Sequence, residues 1–99
     1  MPQVEIESEA EGPGSWTFAL RVDGAGAGGS AARRLHLSWA DYNLWSGDGA
    51  DPPHAVARAV VEFLLARMSP DELPRRIDAA LARRRYSDAD REISRLIRR

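Results

Sequence analysis

The sequence predicts an α+β fold in which a three-stranded antiparallel meander (β-β-β) is followed by three helices packed on one sheet face. Two observations carry this expectation. Apolar residues alternate with polar ones through most of residues 3–39, the period of a half-buried strand, whereas from residue 54 onward they recur at helical spacing. The change of period falls within Leu35–Pro53, LHLSWADYNLWSGDGADPP, which closes on a cluster of glycine, aspartate and proline. A chain of 99 residues suits one domain, 1–99, with a single core.

The first strand is expected over Gln3–Glu9, where Val4, Ile6 and Ser8 alternate with Gln3, Glu5, Glu7 and Glu9 and so set an acidic face toward water. Glu11-Gly12-Pro13-Gly14 supplies turn chemistry, because glycine tolerates positive φ and proline presets its own. Ser15–Asp23 carries the cleanest strand signal, with Trp16, Phe18, Leu20 and Val22 on one face. After the glycine-rich segment 24–32, Leu35, Leu37 and Trp39 alternate with Arg34, His36 and Ser38 to make a third strand over Arg33–Trp39. The helix-free sheet face would then carry Glu5, Glu7, Arg21, Arg34 and His36.

Alternation ends after Trp39, and a turn or short helix is expected before the Ser46–Asp51 loop. Pro52 and Pro53 suit a helix start, where the missing N–H costs no intrahelical bond. The helix His54–Met68 has a broad apolar surface and one polar stripe, His54, Arg58 and Glu62. Ser69-Pro70-Asp71-Glu72 matches a capping box. Pro74 then restricts that turn, so the next helix is expected from about Pro74 to Arg84, burying Leu73, Ile77, Ala80 and Leu81. A last helix follows Ser87-Asp88-Ala89-Asp90, with an apolar stripe of Ala89, Ile93, Leu96 and Ile97.

Composition narrows the functional classes. With no cysteine, disulfides, thiolate metal sites and a cysteine nucleophile are excluded together. There is neither a signal-like N-terminus nor a run of eighteen apolar residues, so a cytoplasmic protein without a membrane partner is expected. All fourteen basic residues are arginine, the pattern of a GC-rich, bacterial-type genome. Charge is divided along the chain: residues 1–49 hold seven acidic and three basic side chains, a balance of −4, and residues 50–99 hold eight acidic and eleven basic ones, a balance of +3.

Several chemical signatures fail on inspection. Gly24, Gly26 and Gly29 match G-x-G-x-x-G literally, but a dinucleotide site needs a helix next, and a strand follows here. The segment from Asp41 begins like a calcium loop, yet it places Trp45 at the fifth position, Ser46 at the glycine position and Pro52 where the bidentate glutamate belongs. His36 and His54 are the sole imidazoles and lack zinc-ligand spacing, so no metal or cofactor is expected. Triples such as Ser38 or Ser46 with these histidines and Asp41 or Asp48 lack a nucleophile elbow.

Three functional expectations remain. The first is a non-enzymatic protein-interaction module, whose partner is an unknown protein or a second copy paired through a sheet edge. Its candidate binding residues are Tyr42, Trp45, Asp48 and His54, around the Tyr42–Asp51 loop, because tryptophan and tyrosine combine an apolar body with a polar tip. Trp39, nearer the strand, is assigned to the core. The alternative is nucleic-acid binding through the arginine-rich C-terminal helices, using Arg83, Arg84, Arg85, Arg91 and Arg95. The third is a small-ligand pocket or enzyme near the Tyr42–His54 loop.

Overall fold

The structure, a computed structural model, describes residues 3–24 and 29–98. Three long strands come first: β1 (Val4–Gly12), β2 (Ser15–Asp23) and β3 (Ser30–Ser38). Two helices follow, α1 (Trp39–Trp45) and α2 (Pro53–Leu65), then a single 3-10 turn, Pro70–Glu72. The chain closes with β4 (Arg76–Asp78), α3 (Ala80–Arg85) and α4 (Ala89–Arg98). The α+β class holds. The sheet, however, has four strands in the order β1-β2-β3-β4 and is mixed, because β4 joins β3 in parallel.

The fourth strand corrects the expected helix from Pro74 to Arg84. Pro74 steers Leu73, the residue ahead of it, into extended backbone (ψ 130°), which ends the preceding turn, and pairing with β3 then holds Arg76–Asp78 extended. Arg34 N donates to Arg75 O at 2.9 Å and Ala79 N donates to His36 O at 2.9 Å, which fixes both ends of the short strand. Ile77 fills the core beneath Leu35, its register partner. Of the remaining residues expected to be buried, Leu73 is buried, while Ala80 and Leu81 are only partly covered.

Strand alternation sorts the sheet into two faces. Val4, Trp16, Phe18, Leu20, Val22, Leu35, Leu37 and Ile77 are buried on the helix side. Against them lies α2, with Val56, Ala57, Val60, Val61, Phe63 and Leu64 buried, and α4 adds Ala89 and Ile93. As the spacing predicted, Leu96 and Ile97 continue the α4 stripe at the core margin. One cluster joins all these side chains, so burial of apolar area across two layers stabilises the fold.

A β-bulge alters the expected face of β1. Ile6 pairs with Leu20 and Ser8 with Ala19, leaving Glu7 as the extra residue. Beyond the bulge the parity changes, so Glu9 and Glu11 lie opposite Phe18 and Trp16 and turn toward the helix side. Glu5 and Glu7 stay on the open face, where Arg21 Nε meets Glu7 Oε2 at 3.3 Å. At the hairpin between β1 and β2, Gly14 takes φ 72°, a conformation an L side chain rarely adopts.

Candidate functional site

The aromatic stretch divides differently from the expectation. Ser38 caps α1, its Oγ accepting from Asp41 N at 3.1 Å, and this start sends Trp39 and Trp45 in different directions. Trp39, assigned to the core from sequence, is 43% exposed and covers Trp16, with ring centroids 4.8 Å apart. Trp45, by contrast, is fully buried, and its Nε1 donates to Asp90 Oδ1 at 2.9 Å. The last residue of a seven-residue helix is thereby fixed to α4, whereas the first packs on Trp16 of the neighbouring hairpin and edge-on to Tyr42.

Tyr42 is buried as well, and its hydroxyl lies within donating distance of Gly49 O (3.0 Å) and Asp51 O. Ser46, also buried, donates to Asp51 Oδ2 at 2.6 Å. Asp48 Oδ1 accepts from Ala50 N, closing a local turn. The loop is therefore clamped by the side chains that made it a candidate. Asp48 and His54 are exposed at its surface, whereas the Tyr42 and Trp45 rings are buried.

Near the C-terminus, arginines stand among carboxylates. Arg83 reaches Asp41 at 3.5 Å and Asp90 at 3.1 Å, Arg84 reaches Asp78 at 3.8 Å, and both Arg91 and Arg95 reach Glu92. Arg85 lies near the Tyr86 ring, 5.7 Å from its centroid. Arg83 has a further role: it links Asp41 in α1 to Asp90 in α4, so it helps seat the same helix that Trp45 anchors.

The helix-free face of the sheet has a different character. Across one row the register reads Ser8, Ala19, Arg34 and Arg76, with the bulged Glu7 beside Ser8. Arg34 and Arg76 are thus neighbours on adjacent strands. Among the described residues neither side chain has a carboxylate at ion-pair distance, and Arg75 next to them has none either. Glu7, Ala19, Ala32, Arg34, Arg75 and Arg76 line an open depression of about 500 Å³ on this face. The next row, Ala10, Thr17, His36 and Asp78, continues its floor.

No protein-family model, curated protein or solved structure matches this chain. The site is accordingly defined by its own chemistry. Short side chains, Ala19, Thr17 and Ala32, alternate on the two inner strands with the longer Arg21, Arg34 and His36. Arg76 escaped sequence reasoning because a helix was expected there. The one local signal, Pro74, steers only Leu73 away from helical backbone and leaves the residues after it undetermined.

Of the G-x-G-x-x-G match, Gly24 (φ 87°) and Gly29 (φ 82°) are joined by a bond from Gly24 N to Gly29 O, whereas residues 25–28, Gly26 included, lie outside the described residues. No group of three or more metal-ligating side chains occurs among the described residues, and none of their helices is long and apolar enough to cross a membrane.

Proposed function

We propose that the protein is a non-enzymatic interaction module that docks a protein partner on the helix-free face of its sheet. The observation that carries this reading is the Arg34–Arg76 neighbour pair. Like charges directly opposed on a sheet cost about 0.2–1 kcal/mol, and an anionic group from a partner turns that cost into attraction. Short side chains set between the charged ones also give a partner's side chains room to approach the sheet. The Tyr42–Asp51 loop supports docking less, since Tyr42 and Ser46 are engaged in internal bonds.

Nucleic-acid binding through the C-terminal helices is the competing reading. Four of its five arginines already stand beside carboxylates, which reduces the positive field available to phosphate. Nor does the open face offer an aromatic platform among its described residues on which bases could stack.

Affinity capture with three baits separates these readings: the wild-type chain, Arg34→Glu/Arg76→Glu, and Arg83→Ala/Arg84→Ala/Arg85→Ala. A protein, which can be another copy of the chain, is expected to be retained by the first and third baits and lost by the second. Equal recovery by all three, or salt-sensitive retention on DNA that disappears only in the third, would overturn the proposal.

A further inference from the structure

We infer that the occupant of the open sheet face is a second copy of this chain, seated face to face about a two-fold axis parallel to the strands. The inference rests on the docking reading above and names its partner. An axis running between β2 and β3 exchanges β1 with β4 and β2 with β3 in the facing copy. The register then decides what meets what.

In the row of Glu7, Ser8, Ala19, Arg34 and Arg76, this exchange sets Glu7 across from Arg76 of the second copy and Arg34 across from its Ala19. In the row of Glu5, Arg21 and Ala32, it sets Arg21 across from Ala32. In the row of Ala10, Thr17, His36 and Asp78, it sets Thr17 across from His36. Long side chains therefore meet short ones, and the arginine without a carboxylate meets a glutamate. Because the contact is isologous, the Glu7–Arg76 pair forms twice. Facing sheets pack about 10 Å apart with strands within about 30° of one another, a gap that these side chains can span.

Other arrangements fare worse. A two-fold axis lying across the strands at the level of the Arg34–Arg76 row sets β1 over β1 and β4 over β4, so Arg76 faces Arg76. Edge pairing of two β1 strands brings two rows of glutamates together and is interrupted at the Glu7 bulge. The existing Arg21–Glu7 contact joins two exposed groups, so it is worth little and yields readily to a better-placed arginine. A formal net charge of −1 sets up little overall repulsion between copies.

Sedimentation equilibrium of the full chain tests the inference. Four strands about 4.8 Å apart make a small interface, so the dimer is expected to be weak and to loosen as salt rises. Glu7→Arg alone and Arg76→Glu alone should each weaken self-association by about tenfold or more, since each converts both pairs to repulsion. An equimolar mixture of the two variants should restore it, because the mixed dimer has opposite charges at both contacts. Both side chains are exposed, and circular dichroism checks that each variant folds. A chain that stays monomeric to about 1 mM at low salt overturns the inference. So does a dimer indifferent to both substitutions, or a mixture no tighter than its components. If self-association is absent but a different captured protein is still lost with Arg34→Glu/Arg76→Glu, the docking reading survives and the second copy alone is rejected.

Discussion

The indole N–H of Trp45 donates to Asp90 Oδ1 across 2.9 Å, joining the end of α1 to the first turn of α4. Arg83 Nε meets the same oxygen at 3.1 Å, and Ser94 Oγ donates to Trp45 O at 3.3 Å. Replacing Asp90 by alanine leaves a buried indole donor without its partner, which should cost about 1–3 kcal/mol. A double-mutant cycle with Trp45→Phe, read by urea unfolding, should show coupling between the two positions. Additive effects would mean that the bond contributes little to stability.

Tyr42→Phe removes the hydroxyl that reaches Gly49 O and Asp51 O while keeping the buried ring. The expected loss is about 1 kcal/mol. Amide exchange should quicken in residues 47–51 and change little in the sheet. Global loss of protection instead would show that the loop unfolds only with the rest of the domain.

Ile77 supplies the buried side chain of β4. Ile77→Ala should destabilise the protein by about 2–5 kcal/mol through lost contact and the cavity left behind. Arg75→Ala, at an exposed neighbour, should stay within about 0.5 kcal/mol on the same unfolding curve. Similar effects at both positions would contradict the short strand.

Glu72 accepts from Ser69 N at 2.7 Å, and the backbone and side-chain bonds to Ser69 hold its carboxyl below the ordinary value of 4.5. A carboxyl whose folded pKa is depressed stabilises the folded state above its unfolded pKa, and that contribution fades as pH falls through the folded value. An NMR titration should place Glu72 lower in the folded chain than in a peptide of the same sequence. Ser69→Ala should move it back toward the ordinary value. No difference between chain and peptide would remove the capping contribution.

Arg34 and Arg76 should be stability liabilities in the isolated monomer. Replacing Arg76 by threonine is expected to stabilise the monomer by about 0.2–1 kcal/mol, because it relieves a like-charge neighbour and keeps strand propensity. Added salt should narrow that difference by screening it. Thermal unfolding at low protein concentration, where self-association is negligible, measures both effects.

Much of the fold was legible in the residue pattern, because a strand or helix that buries one face must carry its own period. Ser15–Asp23 alternates along its whole length and forms β2 with those bounds. Ala89, Ile93, Leu96 and Ile97 recur at helical spacing and form the inner stripe of α4. Ser69 and Glu72 announce their own hydrogen bond. Even the open-face residues Glu5, Glu7, Arg21, Arg34 and His36 followed from alternation, although the bulge at Glu7 turned Glu9 and Glu11 away.

Tertiary structure decided what has no period. Arg76–Asp78 is too short to announce itself as a strand, and it becomes one only because β3 offers an unpaired edge beside it. The exchange of roles between exposed Trp39 and buried Trp45 depends on where α4 and Asp90 come to rest, more than forty residues later in the chain. The Arg34–Arg76 pair on which the docking proposal rests spans a similar distance. Periodicity assigns each residue to a face of its own element; only packing decides which element lies beside it.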